Sequence, residues 1–191
     1  MNKEDNFKEK FKLALISTAK VISGEYKIDD ELKKNLSSKN YNFFEIDNIS
    51  TKNDFVKLRA QTDSEALKIK FSNKEIYLKN IPRKQSCKKM YDIAEKIRYE
   101  ILGAKMLKGI SVNFNKNYNH KIRIKRKDQL KSKEDVNIIE AFELYMLKNF
   151  FNIKLNKLSE KILSYWETEL KSSFDKDMDY LIQNLEYQDA Y

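Results

Sequence analysis

The chain of 191 residues contains one cysteine, one histidine, one proline and three glycines. Each scarcity closes something off. The lone Cys87 excludes an internal disulfide and any zinc site built from cysteines. The lone His120 stands in a basic stretch with no acid near it, which reads as a surface residue rather than a base or a ligand. Hairpins, bulges and βαβ turns consume glycine and proline, so their shortage favours helices and makes all-α the expected class. No apolar run approaches the roughly 20 residues that span a bilayer. The opening MNKEDNFKEK has acids among its lysines and no apolar core, so no secretory signal is expected and a cytoplasmic location is. Also missing are a P-loop, G-x-G-x-x-G, H-E-x-x-H, G-x-S-x-G and the calcium loop of an EF-hand. Asp175, Asp177 and Asp179 alternate, but without the glycine and distal glutamate of a calcium site they read as charge at a helix start.

What is present is charge. Charged residues make up 35% of the chain and the formal net charge is +9, unevenly spread. Residues 116–131 hold seven Lys or Arg against the single acid Asp128. Residues 165–191 hold seven acids against Lys171 and Lys176. A basic middle thus precedes an acidic end.

Apolar spacing predicts about six helices in a single domain over residues 1–191. The first carries Phe7, Phe11, Leu15 and Ile22 on one face, with Gly24 placed to cap its end. The second starts at Asp54 as N-cap and carries Phe55, Leu58, Thr62, Ala66 and Ile69. Ile81-Pro82 marks a break. A third helix is expected from about Lys88 to about Asn113, and three more lie around 135–150, 156–172 and 176–188. Residues 25–53 and 114–134 are expected to be irregular loops. YNFFEI in the first and KIRIK in the second are compatible with short extended pieces.

The third helix holds two of the three glycines within EKIRYEILGAKMLKGISVN, residues 95–113. At 100° per residue, Ile93, Ile97, Ile101, Ala104 and Leu107 share an arc, and Glu100 falls inside it. A carboxylate there is expected to be buried and to need a cation. Arg98 lies on another face, so Arg59 from elsewhere is the expected partner. Tyr91, Leu102, Met106 and Ile110 make a second apolar face, which marks a central helix. Gly103 and Gly109 are then expected where another backbone crosses closely, with a helix end as the alternative for Gly109.

The order of these motifs resembles the N-terminal region of the T subunit of aerobic cobaltochelatase, the CobT family. E-x-x-R-x-E-x-x-G followed by G-x-x-x-N matches at Glu95, Arg98, Glu100, Gly103, Gly109 and Asn113. LRAQTDSEALKIKF matches at Arg59, Asp63, Ala66 and Leu67. RKDQL at 126–130 follows, then Trp166, then LEYQDAY at 185–191 with Glu186 and Gln188. The chain departs from the family pattern at Ser72, Asn73 and Tyr77, which stand where the family has His-Asp and a further His, and at LKNFFN, where R-E-x-L-T-G is usual.

The resemblance implies a non-catalytic, chaperone-like assembly subunit of an ATP-dependent ligase that forms nitrogen–metal bonds. That complex inserts cobalt into hydrogenobyrinic acid a,c-diamide in cobalamin biosynthesis. It further implies an AAA+ ATPase partner and a large tetrapyrrole-binding subunit, which between them handle ATP and cobalt, while this chain binds no cofactor itself. The family continues into an acidic linker and a von Willebrand A-type domain that these residues do not contain. Lys121, Arg123, Lys125, Arg126 and Lys127 form the expected docking patch. The alternative is a helical nucleic-acid-binding module that uses the same patch with Tyr118, whose affinity would fall steeply with salt.

Overall fold

The computed structural model describes residues 3–24, 51–124 and 130–191. All the regular structure among them is helical: α1 (Lys3–Ser23), α2 (Lys52–Phe71), α3 (Lys74–Asn80), α4 (Gln85–Met106), α5 (Lys108–Ile124), α6 (Ile138–Phe151), α7 (Lys157–Ser164) and α8 (Glu167–Gln183), with one 3₁₀ turn at Lys133–Asp135. The all-α class therefore stands, but the described residues hold eight helices where about six were expected. The chain divides into two compact units, Met1–Lys70 and Phe71–Tyr191, and each is described by itself.

In the first unit, α1 and α2 meet through Leu15 and Leu58, with Phe11 and Phe55 packed against them. Phe55 receives Phe7 and Phe11 edge-to-face at ring separations of 5.6 and 4.9 Å, a geometry that contributes about 0.5–1.5 kcal/mol per pair beyond burial. Gly24 ends α1 at φ 76°, with its N–H on the Lys20 carbonyl. That is the left-handed cap its position predicted. The start of α2 lies earlier than expected. Thr51 precedes the helix and Asp54 answers it, its carboxylate accepting from the Thr51 N–H and hydroxyl at 2.8 Å each while the Asp54 N–H donates to Thr51 Oγ1. Asp54 is thus the third-residue partner of a reciprocal cap rather than the cap itself. YNFFEI lies outside the described residues.

Two features of the second unit raise the helix count, and a third moves a boundary between two expected helices. First, α3 is a two-turn helix that residue spacing did not reveal. Asn73 caps it by accepting from the Glu75 and Ile76 N–H groups, and Ile81 ends it in the extended conformation that Pro82 demands. Second, the helix expected over 88–113 breaks at Leu107, which is extended at φ −138° and ψ 117°. The chain then resumes as α5 as far as Ile124, so residues 114–124 are helix where a loop was expected. Residues 125–129, including the end of KIRIK, lie outside the described residues. Third, Tyr165 and Trp166 separate α7 from α8, so the helix expected over 156–172 ends near its middle.

The causes are visible in the packing. In α5, Ile110, Phe114, Tyr118 and Ile122 recur every four residues and are all buried. Four asparagines between them have weak helix propensity and mask the stripe, but burying it outweighs that preference. Asn115 and Asn119 instead donate back to the carbonyls of Ser111 and Asn115, four residues earlier. At Trp166 the indole N–H donates to the Val136 carbonyl at 3.0 Å and Lys133 lies 4.2 Å over the ring. The side chain is held toward the 3₁₀ turn, and the helix is interrupted there.

Helix α4 packs against α5 and α6, and α6 against α7 and α8. The centre of the unit is Ile97, Phe114, Leu144, Met146, Ile162 and Leu170, each at most 2% exposed. Helix α4 contacts both α5 and α6, but its expected second apolar face is only partly there: Leu102 is buried and Tyr91 half-buried, while Met106 is 41% exposed and Ile110 belongs to α5.

Gly109 does not serve a close crossing. It is exposed, and a Cβ built on it would meet nothing within 4 Å. Its place is the second residue of α5, just past the break, which leaves the helix-end alternative. Gly109→Ala is therefore expected to raise stability by about 0.4–1 kcal/mol, because it narrows the unfolded ensemble without meeting a neighbour. Thermal or denaturant unfolding of the variant measures this, and a loss of stability would mean that the site is more crowded than this geometry allows.

A candidate assembly core at the motif helix

The residues singled out on α4 carry two separate buried polar groups. The first is centred on Arg98, a guanidinium 1% exposed. Its Nε donates to Glu95 Oε1 at 3.1 Å and its Nη2 to Glu95 Oε2 at 3.4 Å. Nη1 donates to the Leu185 carbonyl at 3.0 Å and Nη2 to the Phe71 carbonyl at 2.7 Å. Glu95 is itself 4% exposed and accepts from the side-chain amide of Gln188 at 2.8 Å. Gln188 returns the link, its Oε1 taking the Asn73 N–H at 2.6 Å. One ion pair thereby binds three stretches together: the entry to α3, the middle of α4 and the C-terminal residues.

The C-terminal residues are held at two further points. Asp189 pairs with Lys79 at 3.2 Å and accepts from Asn80 at 3.1 Å, contacts that hold its carboxyl below the usual range. Tyr191 donates to the Ala94 carbonyl at 3.3 Å, and burial followed by the nearby Glu95 charge pushes its hydroxyl well up. Ser72, Asn73 and Tyr77, the departures from the resembled pattern, lie along this seam. Asn73 caps α3, and Tyr77 stacks on Tyr91 at 5.4 Å and donates to Asp92. Burial and that carboxylate raise the Tyr77 pKa to about 12.

The second group is Glu100, buried as its place in the apolar arc predicted, at 1% exposed. Within its unit it accepts from the Tyr118 hydroxyl and lies 3.7 Å from Lys96. Arg59, expected as its cation, belongs to the other unit, where it faces Asp63 at 3.7 Å. Burial, then the Glu100 charge, raises the Tyr118 pKa strongly, so the phenol stays a donor. Gly103 is buried one turn further on, and Asn113 is half-buried on α5.

The expected docking patch looks different once α5 is a helix. Lys121 is already paired with Glu143 of α6. Arg123 lies in the last turn of α5, and Lys125, Arg126 and Lys127 lie outside the described residues. Tyr118 is 3% exposed and committed to Glu100, so it cannot stack on a base as the nucleic-acid alternative required. Glu186 is exposed and stands apart from the Arg98 group.

Sequence reasoning named Glu95, Arg98 and Gln188 singly but did not join them. The available signal was that two motif segments, each oddly polar among apolar neighbours, lie about ninety residues apart. Buried polar groups require partners, and each supplies the other's. Among the described residues no group of three His, Cys, Asp or Glu could hold a metal ion, and no helix is long and apolar enough to cross a membrane.

A family model described as cobalamin biosynthesis protein CobT matches residues 5–191. Comparison with curated proteins and with solved structures returns no significant match.

Proposed function

The chain belongs to the CobT family of cobalamin-biosynthesis proteins, and from that premise we propose that it works as a non-catalytic assembly module of an ATP-dependent cobaltochelatase. In this reading cobalt and the corrin ring are substrates handled by a large tetrapyrrole-binding subunit. An AAA+ ATPase supplies the nucleotide chemistry, and this chain docks to it.

The observation that carries the reading is where the family signature goes. Glu95, Arg98 and Gln188 are the most chemically capable residues of that signature, and they face inward onto one another and onto backbone carbonyls. A buried guanidinium with four donor contacts inside the chain is poorly placed to meet substrate. It is well placed to fix a surface that a partner reads. The inward use of Tyr118 supports the assembly reading over the nucleic-acid one.

The test is size-exclusion chromatography with light scattering on the chain mixed with its cognate AAA+ subunit, with and without ATP, at moderate salt. A co-complex of defined mass is expected. Separate elution of two well-folded proteins under both conditions would overturn the reading.

A further inference from the structure

Two surfaces of the Phe71–Tyr191 unit carry opposite charge around exposed apolar side chains, and neither belongs to the buried clusters. The first is the outward side of the α4–α5 corner. Met106, Leu107 and Val112 are 41%, 45% and 41% exposed. Lys108, Val112 and Lys116 follow one another at four-residue steps, opposite the buried stripe of Ile110, Phe114 and Tyr118, and so form one ridge. No acid occurs between Ile101 and Lys127, and neither Lys108 nor Lys116 meets a carboxylate among the described residues.

The second surface is the end of α8 and the turn after it. Ile182 is 42% and Tyr187 66% exposed; Asp179, three residues before Ile182 on α8, and Glu186, next to Tyr187 in the turn after it, are exposed too. From Asp177 to Tyr191 there is no Lys or Arg. Neither Asp179 nor Glu186 meets a cation among the described residues, unlike Asp189, which Lys79 holds.

Large apolar side chains in water cost free energy that a partner surface recovers, and unpaired like charges around them exclude copies of the same face. An apolar ridge framed by lysines therefore cannot pack on itself. It does fit the acid-framed end of α8. We infer that the α5 ridge of one copy of this chain docks against the α8 end of a second copy. Such a contact joins two different patches, so it propagates head to tail and either closes into a ring or continues as a filament. With few apolar anchors per side it is a small contact, at the weak and reversible end of the range, and it depends on salt. The inference is independent of the proposed function, because it needs only this chain.

Sedimentation equilibrium on the 191-residue chain tests it. The mean mass is expected to rise above one chain between about 5 and about 200 μM at roughly 50 mM salt, and to return to one chain by about 0.5 M salt. Two variants blank the patches separately: Lys108→Ser/Val112→Ser/Lys116→Ser, and Asp179→Ser/Glu186→Ser/Tyr187→Ser. All six positions are exposed, so both variants are expected to keep the wild-type circular dichroism. Each alone should stay a single chain. An equimolar mixture should reach two chains and stop, because it contains one intact ridge and one intact acidic end. A single-chain mass at every concentration would overturn the inference, and so would association that survives both sets of substitutions. Binding of an anionic vesicle or an acidic peptide by a chain that stays single would reassign the ridge and equally overturn it.

Discussion

Arg98→Met is expected to lower the stability of the chain by about 3–5 kcal/mol, the range for breaking a buried ion pair from one side. The size comes from what the substitution leaves behind. Glu95 would remain 4% exposed with its charge unmet, apart from the Gln188 amide. The carbonyls of Leu185 and Phe71 would each lose a charged donor. Every such orphan incurs its own desolvation cost. Methionine fills much of the volume, so a large loss would reflect the polar network rather than a cavity. The double variant Glu95→Met/Arg98→Met separates these terms. Removing both charges leaves two carbonyls and one amide unsatisfied but no buried ion, so it is expected to be more stable than Arg98→Met alone. Urea unfolding followed by circular dichroism measures both. A cost below about 1 kcal/mol for the single variant would mean that water reaches Glu95 and that the cluster does not bind the C-terminal residues as described.

The network also shows what could and could not be read from the residues. Helical class followed from the shortage of glycine and proline. The burial of Glu100 followed from its angle on α4, since three-dimensional neighbours were not needed to place it in an apolar arc. The hydrogen bond that the Tyr118 hydroxyl donates to Glu100 did not follow. Tyr118 stands eighteen residues away, on a helix whose composition suggests a loop. Nor did the joining of Glu95 and Gln188, which are 93 positions apart. Angular position on a helix is local information, whereas the identity of a partner is set by how the chain folds back. The same distinction accounts for the helix boundaries. The break at Trp166 answers to a side chain held by another element, the indole on the Val136 carbonyl. The two turns of α3 depend on a cap at Asn73, whose backbone N–H is itself held by Gln188.

Phe114→Ala tests the most consequential of these differences. Were residues 114–134 the basic loop that their composition suggests, a phenylalanine there would be half in water and its removal nearly neutral. In the structure Phe114 is 1% exposed, in the middle of the α5 stripe, with the Phe151 ring at 6.2 Å and 79°. Truncating it empties a volume that α4 and α6 are too constrained to refill, which places the expected cost at about 3–5 kcal/mol. The neighbouring Lys116→Ala provides the contrast. Its side chain is exposed on the opposite side of the same helix, so a change within about 0.5 kcal/mol is expected. The pair matters more than either value. A large effect at 114 with none at 116 is the signature of a helix with one buried face. Comparable small effects at both would return the segment to solvent. Because Phe114 and Tyr118 lie one turn apart on that face, losing the helix would also withdraw a donor to buried Glu100. Denaturant midpoints for these two substitutions therefore report on α5 and on the polar core of α4 together.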